Sequence, residues 1–308
     1  MVAINRIPTT VITGFLGAGK TTIILHLVEH LQAQGQKVIY IKNEIGEEDL
    51  DTKLVRGQNI VSRELLNGCI CCTLVGPFIS AINEIIESYQ PDRIIIESAG
   101  TADPAALALM VANHPRLLRD GVISIIDVVN FEGYKDISEV ARRQAKLTDL
   151  IVFNKVELVD DDRKRTVVGY VRELNEYSPI VEAPQGKLDP RVAFGIDSQW
   201  SSAELTTKAQ HAHDHETHDD IQAVTMTLNQ PIAKDRLDEI LASLPKNIFR
   251  VKGFVNLEGM GWRVLNGVFK RFEYFEFAKP ELVTESKLIF IGYHIEKTEL
   301  EHLFSKQF

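Results

Sequence analysis

The chain has 308 residues, and at about 150 residues per domain two domains are expected. With 44% apolar and 25% charged residues, its composition is that of a globular protein and excludes a disordered or fibrous one. Acidic residues outnumber basic ones 43 to 34, and a net charge of -9 argues against a broad phosphate-neutralising surface, so no nucleic-acid partner is expected.

Apolar runs such as 122–126 fall far short of the roughly 18 residues that span a bilayer, so no membrane partner is expected either. The opening MVAINRIPTTVITG lacks the apolar core of a secretory signal, and a cytoplasmic location is expected. Residues 9–13 predict a β-branched strand that runs straight into a glycine-rich turn. A helix over 21–34 follows, apolar at Ile24, Leu27, Val28 and Leu31, with Gly35 as its stop. Further strands at 37–42, 93–97, 122–127, 150–154 and 180–182 alternate with helical patterns at 77–89, 104–111, 137–147 and 160–176. His114, isolated before Pro115, reads as a surface-loop histidine. The strands are near-continuous Ile/Val runs, which buries both faces of the sheet. The expected fold class is therefore α/β, a doubly wound, mostly parallel sheet.

The pattern changes near residue 200, where 201–220 is polar and His-rich, a linker or loop. After it come a strand at 222–228, a helix at 234–244, strands at 247–257, 263–268, 271–277 and 286–293, and a final helix at 296–304. This order predicts a smaller α+β domain, giving boundaries of 1–200, 201–220 and 221–308.

The residues from Gly14 to Thr21, GFLGAGKT, fit GxxxxGK(S/T) in the strand–turn–helix context that a phosphate loop needs. Gly14, Gly17, Ala18 and Gly19 would aim backbone N–H groups at phosphate oxygens, and the helix start adds its positive end. Lys20 would reach the β- and γ-phosphates and the Thr21 hydroxyl would ligate Mg²⁺, with Thr22 beside it. Asn154, Lys155 and Glu157 stand at the end of a late strand where guanine-binding proteins carry NKxD. An acidic side chain there accepts from the guanine N1 and exocyclic amine, a donor pair that adenine lacks, so GTP is the expected nucleotide. Glu157 is one methylene longer than the usual Asp, and ATP is the competitor to exclude.

All three cysteines fall within four residues, at Cys69, Cys71 and Cys72. Neighbouring Cys71 and Cys72 are poorly placed to bridge each other, and a tight cluster in a reducing compartment points to a metal or redox site. Of nine histidines, four stand at His211, His213, His215 and His218, interleaved with Asp214, Glu216, Asp219 and Asp220. Such a stretch is either a solvated linker or a weak collecting site for zinc, nickel or cobalt.

Taken in order, GFLGAGKTT from Gly14, NEIGE ending at Glu47, ELLNGCICCT from Glu64, IESAG ending at Gly100, ADP from Ala102 and Asn154-Lys155 resemble the CobW family of P-loop GTPases. Arg250-Val-Lys-Gly253 is similar to that family's C-terminal domain, so the resemblance covers nearly the whole chain. It implies GTP hydrolysis coupled to handling a transition metal, usually zinc, sometimes cobalt or iron, for delivery to a client metalloprotein, with a homodimer as an assembly to test. Carried over, Cys71 and Cys72 match the metal-binding thiolates, with Cys69 as third member and Glu47 as a carboxylate that joins them. Glu97 takes the Walker B position, and with Gly100 gives ExxG, the Gly100 amide sensing the γ-phosphate. Glu64 and Asp103 also match family positions. No arginine finger is identifiable, since Arg142 and Arg143 read as a solvated helix face, so slow turnover in isolation is expected. Three rivals remain at this point: a small-molecule kinase or ATP-driven ligase, a thiol-redox nucleotide switch, and a cobalt or cobalamin-biosynthesis role.

Overall fold

A computed structural model describes residues 6–43, 61–64, 75–98, 104–133, 148–194, 221–276 and 283–305. The chain divides into two compact units, Arg6–Pro190 and Arg191–Phe308. The helix expected at 137–147 lies outside the described residues.

In the first unit, β1 (Ile7–Gly14), β2 (Val38–Asn43), β3 (Val61–Glu64), β4 (Arg93–Ser98), β5 (Leu117–Asp127), β6 (Leu150–Asn154) and β7 (Ile180–Ala183) form one sheet. Their spatial order is β3-β2-β4-β1-β5-β6-β7 and every pairing is parallel. All six residues of β4 and all five of β6 are buried, as continuous apolar runs in a sheet covered on both faces require. On one face Val11, Ile39, Ile41, Ile94 and Ile96 pack against Phe78, Ile82 and Ile85 of α2 (Val75–Tyr89) and Leu107 and Val111 of α3 (Pro104–Asn113). Helix α1 (Lys20–Ala33) buries Ile23, Ile24, Leu27, Val28 and Leu31 and packs on β1 and β2. Helix α4 (Asp161–Arg172) is capped by the Asp160 side chain, which accepts from the Arg163 amide, and adds Val167 and Val171 to a cluster with Ile126, Ile151 and Phe153.

Among the features that differ from the expectation, three have a clear physical reason. Strand β3 was not predicted, because Val-Ser-Arg-Glu is a short polar edge strand without a β-branched run. Strand β5 begins five residues early, at Leu117, since its charged Arg119 and Asp120 break the apolar pattern. Asp120 is tolerated there because Arg93, at the start of β4, donates Nη1 to its Oδ2 at 2.6 Å, both side chains being 1% exposed. Arg93→Leu takes the cation from beside this buried carboxylate and should cost about 3–5 kcal/mol in urea unfolding, whereas Arg93→Met with Asp120→Leu should recover most of the loss.

The third difference is His114, which is 1% exposed instead of lying on the surface. Its ring meets Phe78 edge-on at 6.3 Å and its Nδ1 accepts from the Arg116 amide at 3.2 Å. Burial holds its pKa below the ordinary 6.5, with the Ile79 backbone pulling the other way and Arg116 adding to the drop. The unfolded chain therefore takes up a proton near 6.5 that the folded chain refuses, so stability present above that pH is lost as pH falls below it. His114→Asn, whose Oδ1 can replace Nδ1 as acceptor, should flatten the thermal midpoint between about pH 7 and about pH 5.5; an unchanged slope would exclude His114 as its source.

The second unit holds β8 (Ile221–Leu228), β9 (Ile248–Leu257), β10 (Gly261–Val268), β11 (Arg271–Glu276) and β12 (Ser286–Tyr293), in the antiparallel order β11-β10-β9-β12-β8. Helices α6 (Lys234–Ala242) and α7 (Lys297–Ser305) bury Leu237, Ile240, Leu241, Leu300 and Phe304 against Val255, Leu257, Leu265, Leu288 and Phe290. The RVKG segment at 250–253 has a structural reason. Arg250, 2% exposed, donates Nε to the Val192 carbonyl at 3.0 Å and its guanidinium also reaches Ala193, while Lys252 Nζ reaches Phe194. These cations satisfy the terminal carbonyls of the short α5 (Pro190–Phe194). Gly253 is required because a Cβ there would lie 1.9 Å from the Lys287 carbonyl oxygen of β12. Among the described residues no helix is long and apolar enough to cross a membrane.

Candidate nucleotide site

Three loops leave the carboxyl ends of the parallel strands β1, β6 and β7 in the first unit, the end of such sheets at which ligands bind. The first follows β1. Gly14, Gly17 and Gly19 have φ of 146°, 76° and 91°, and a Cβ would lie 2.4 Å from the Ile125 carbonyl at Gly14 or 2.2 Å from Asn154 Nδ2 at Gly19. Only glycine fits at either position, and the loop is left with a bare backbone where a phosphate would sit. Gly19 caps α1, whose first turn carries no acidic residue, so the helix keeps its positive end for an anion. Ala18 is buried, Thr21 is half-buried and Thr22 is exposed.

Lys20 is 6% exposed and folds back along the loop. Its Nζ donates to the carbonyls of Gly14 at 3.0 Å and Phe15 at 3.2 Å, and lies 3.8 Å from Oε1 of Glu97. Glu97, near the end of β4, is 3% exposed, and its Oε2 accepts from the Tyr40 hydroxyl of β2. The lysine is thus held at the loop by two backbone carbonyls, with the Glu97 carboxylate beside it.

The second and third loops follow β6 and β7. Asn154, 4% exposed at the end of β6, donates Nδ2 to the Ala18 carbonyl at 2.8 Å and accepts from the Gly186 amide on Oδ1 at 3.1 Å. One side-chain amide thus joins the phosphate loop to the turn after β7. Lys155 stands in the left-handed region at φ 62° and its Nζ reaches the Gly17 carbonyl at 3.0 Å and Asp127 Oδ2 at 2.7 Å. Gln185 and Gly186 also have positive φ, and the Gln185 amide donates to Glu157 Oε2 at 3.0 Å. These bonds brace the three loops against one another.

Sequence reasoning missed Asp127, Tyr40 and Gly186. Asp127 ends β5 and receives Lys155, the Asn130 side chain at 2.8 Å and the Val129 amide at 3.0 Å. Partial burial raises its pKa, but these bonds outweigh that and hold the carboxyl below its usual range, as a fixed anion for Lys155. Its signal was available, as a carboxylate at the carboxyl end of a buried parallel strand faces the site. Arg163 of α4 ties down the loop behind it, donating to the carbonyls of Val128 at 2.9 Å, Val129 at 3.1 Å and Phe131 at 2.8 Å.

Cys69, Cys71, Cys72, Glu47, Gly100, Asp103, Arg142, Arg143 and the histidines at 211, 213, 215 and 218 lie outside the described residues, as does the side chain of Glu64. Among the described residues no group of three or more His, Cys, Asp or Glu could hold a metal ion.

Comparison with known proteins bears on the same segments. The CobW/HypB/UreG nucleotide-binding domain matches residues 8–182, and the cobalamin synthesis protein cobW C-terminal domain matches residues 221–307. The zinc chaperone CobW of a Sinorhizobium species is 31% identical over 306 residues, spanning 85% of this chain and 84% of that protein. The zinc chaperone YjiA of Escherichia coli K12 is 26% identical over 98% of each chain. The zinc-regulated GTPase metalloprotein activator 1 of Schizosaccharomyces pombe is 28% identical, spanning 96% of this chain and 84% of that one.

Proposed function

This chain belongs to the CobW/HypB/UreG family of P-loop GTPases, and on that premise we propose that its GTP hydrolysis governs a zinc ion held by Cys69, Cys71, Cys72 and Glu47 for delivery to a client metalloprotein. The observation that supports the nucleotide half is the bridge through Asn154, which ties the glycine-rich loop to the turn after β7. The metal half is supported by the chemistry of three clustered thiols, which as thiolates favour zinc and with one carboxylate complete a tetrahedral shell. It is supported too by the relatives named zinc chaperones.

In this reading the amides of Gly14, Gly17, Ala18 and Gly19 take the phosphate oxygens. Lys20 exchanges the Gly14 and Phe15 carbonyls for the β- and γ-phosphates, where its charge stabilises the bond-breaking transition state. The donor set fits Mg²⁺, with the Thr21 hydroxyl at the start of α1 and the Glu97 carboxylate facing the same loop. Bound there, Mg²⁺ neutralises charge on the phosphates. Lys155 lies along the base and Glu157 accepts from the guanine N1 and amine, with Asn154 holding both loops in register. Water attacks the γ-phosphorus, the bond to the β–γ bridging oxygen breaks, and GDP leaves with the electron pair. Gly100 follows Glu97 by three residues, so loss of the γ-phosphate would be felt in the segment that its amide joins. His211, His213, His215 and His218 serve as a weak collecting site that raises the local metal concentration.

Because linkage between binding equilibria is reciprocal, a nucleotide that changes the hold on zinc must have its own affinity changed by zinc. GTP should displace a fluorescent guanine nucleotide far better than ATP does, and stoichiometric zinc should change the GTP affinity or the hydrolysis rate. Equal competition by ATP would remove the guanine assignment, and equal affinity and rate with and without zinc would remove the coupling.

A further inference from the structure

Strand β2 is aliphatic at Val38, Ile39 and Ile41, yet its centre carries Tyr40, which is 1% exposed. Register pairs Tyr40 with Ile95 and Lys42 with Glu97, so Tyr40 and Glu97 are diagonal neighbours on one face of adjacent parallel strands. That is the separation an aromatic side chain can bridge. The hydroxyl lands on one oxygen of Glu97, while the other oxygen lies 3.8 Å from Lys20 Nζ. The two oxygens of the carboxylate are therefore unequal: one is held by a neutral donor rooted in the core, and the other faces the phosphate loop.

We propose that Tyr40 is a positioning residue for GTP hydrolysis, fixing the Glu97 carboxylate so that its second oxygen is presented to the Mg²⁺ and phosphate end of the site. The inference rests on Glu97 having that role. The terminal torsion of a glutamate is broad, so an unheld carboxylate would rotate between useful and useless orientations. In a buried setting a hydroxyl bond to a carboxylate is strong enough to choose one of them. A tyrosine that merely satisfied its own hydroxyl would affect stability and leave the Mg²⁺ dependence of the site untouched.

Tyr40→Phe removes the hydroxyl and preserves the ring. The test is the affinity of a fluorescent, non-hydrolysable GTP analogue with Mg²⁺ and with EDTA, the ratio giving the gain due to Mg²⁺. Tyr40→Phe should lower that gain about tenfold, and leave the affinity in EDTA within about twofold. Glu97→Gln should lower it as well, and the double variant should fall no further than Glu97→Gln alone. A wild-type gain in Tyr40→Phe beside a reduced one in Glu97→Gln would overturn the inference alone. A wild-type gain in both would overturn the reading of Glu97 on which it rests.

Discussion

Lys20→Ala is expected to reduce GTP turnover by roughly two to three orders of magnitude, the usual cost of deleting one preorganised donor from the place where transition-state charge develops. The side chain is 6% exposed, and its ammonium sits within reach of two loop carbonyls and the Glu97 carboxylate, in a site that glycines keep open to an anion. Burial amplifies the effect, because a charge in a poorly screened pocket acts on phosphate oxygens far more strongly than one in water. The substitution also takes a cation from beside Glu97, so a thermal midpoint must accompany the kinetics. The expected outcome is a folded protein that still binds guanine through Asn154, Lys155 and Glu157 and has lost hydrolysis. Turnover within about threefold of wild type would mean that Lys20 is only a brace for the loop.

Replacing Cys71 and Cys72 together by serine is expected to abolish tight zinc binding. A thiolate is a strong ligand near neutral pH, whereas a serine hydroxyl keeps its proton, so two of the four proposed ligands vanish with almost no change in volume. The loss should exceed the roughly 10- to 100-fold that removal of a mere supporting partner causes, as measured by competition with a zinc chelator. Nucleotide affinity in metal-free buffer should stay as in wild type, which separates loss of ligation from unfolding. Unchanged zinc affinity would mean that Cys71 and Cys72 do not hold the metal.

What could be read from the residues in advance was what is local or repetitive. The phosphate loop is written in a run of eight residues, because glycine spacing, the lysine and the strand before it all act within two turns of chain. The sheet was legible in β4 and β6, where a strand buried on both faces has no choice but to be apolar throughout. What escaped depends on partners distant in sequence. His114 is buried by Phe78 of α2, and nothing beside His114 itself signals that. Asp120 looks like a strand-breaker until Arg93 stands against it. Asp127 and Tyr40 each end or interrupt an apolar run, and each gains its meaning from a lysine or carboxylate on a neighbouring strand or loop. In such strands an isolated polar residue is the feature to question first, since the sheet must give it a partner.

If the nucleotide state sets the hold on zinc, zinc affinity must differ between the GTP-bound and GDP-bound chain. Chelator competition would be run on the full chain with Mg²⁺ and either a non-hydrolysable GTP analogue or GDP. The predicted result is a zinc dissociation constant that differs by at least about fivefold between the two, the lower end of ordinary coupling between sites. Identical constants would mean that the nucleotide site and the zinc site share one chain without coupling.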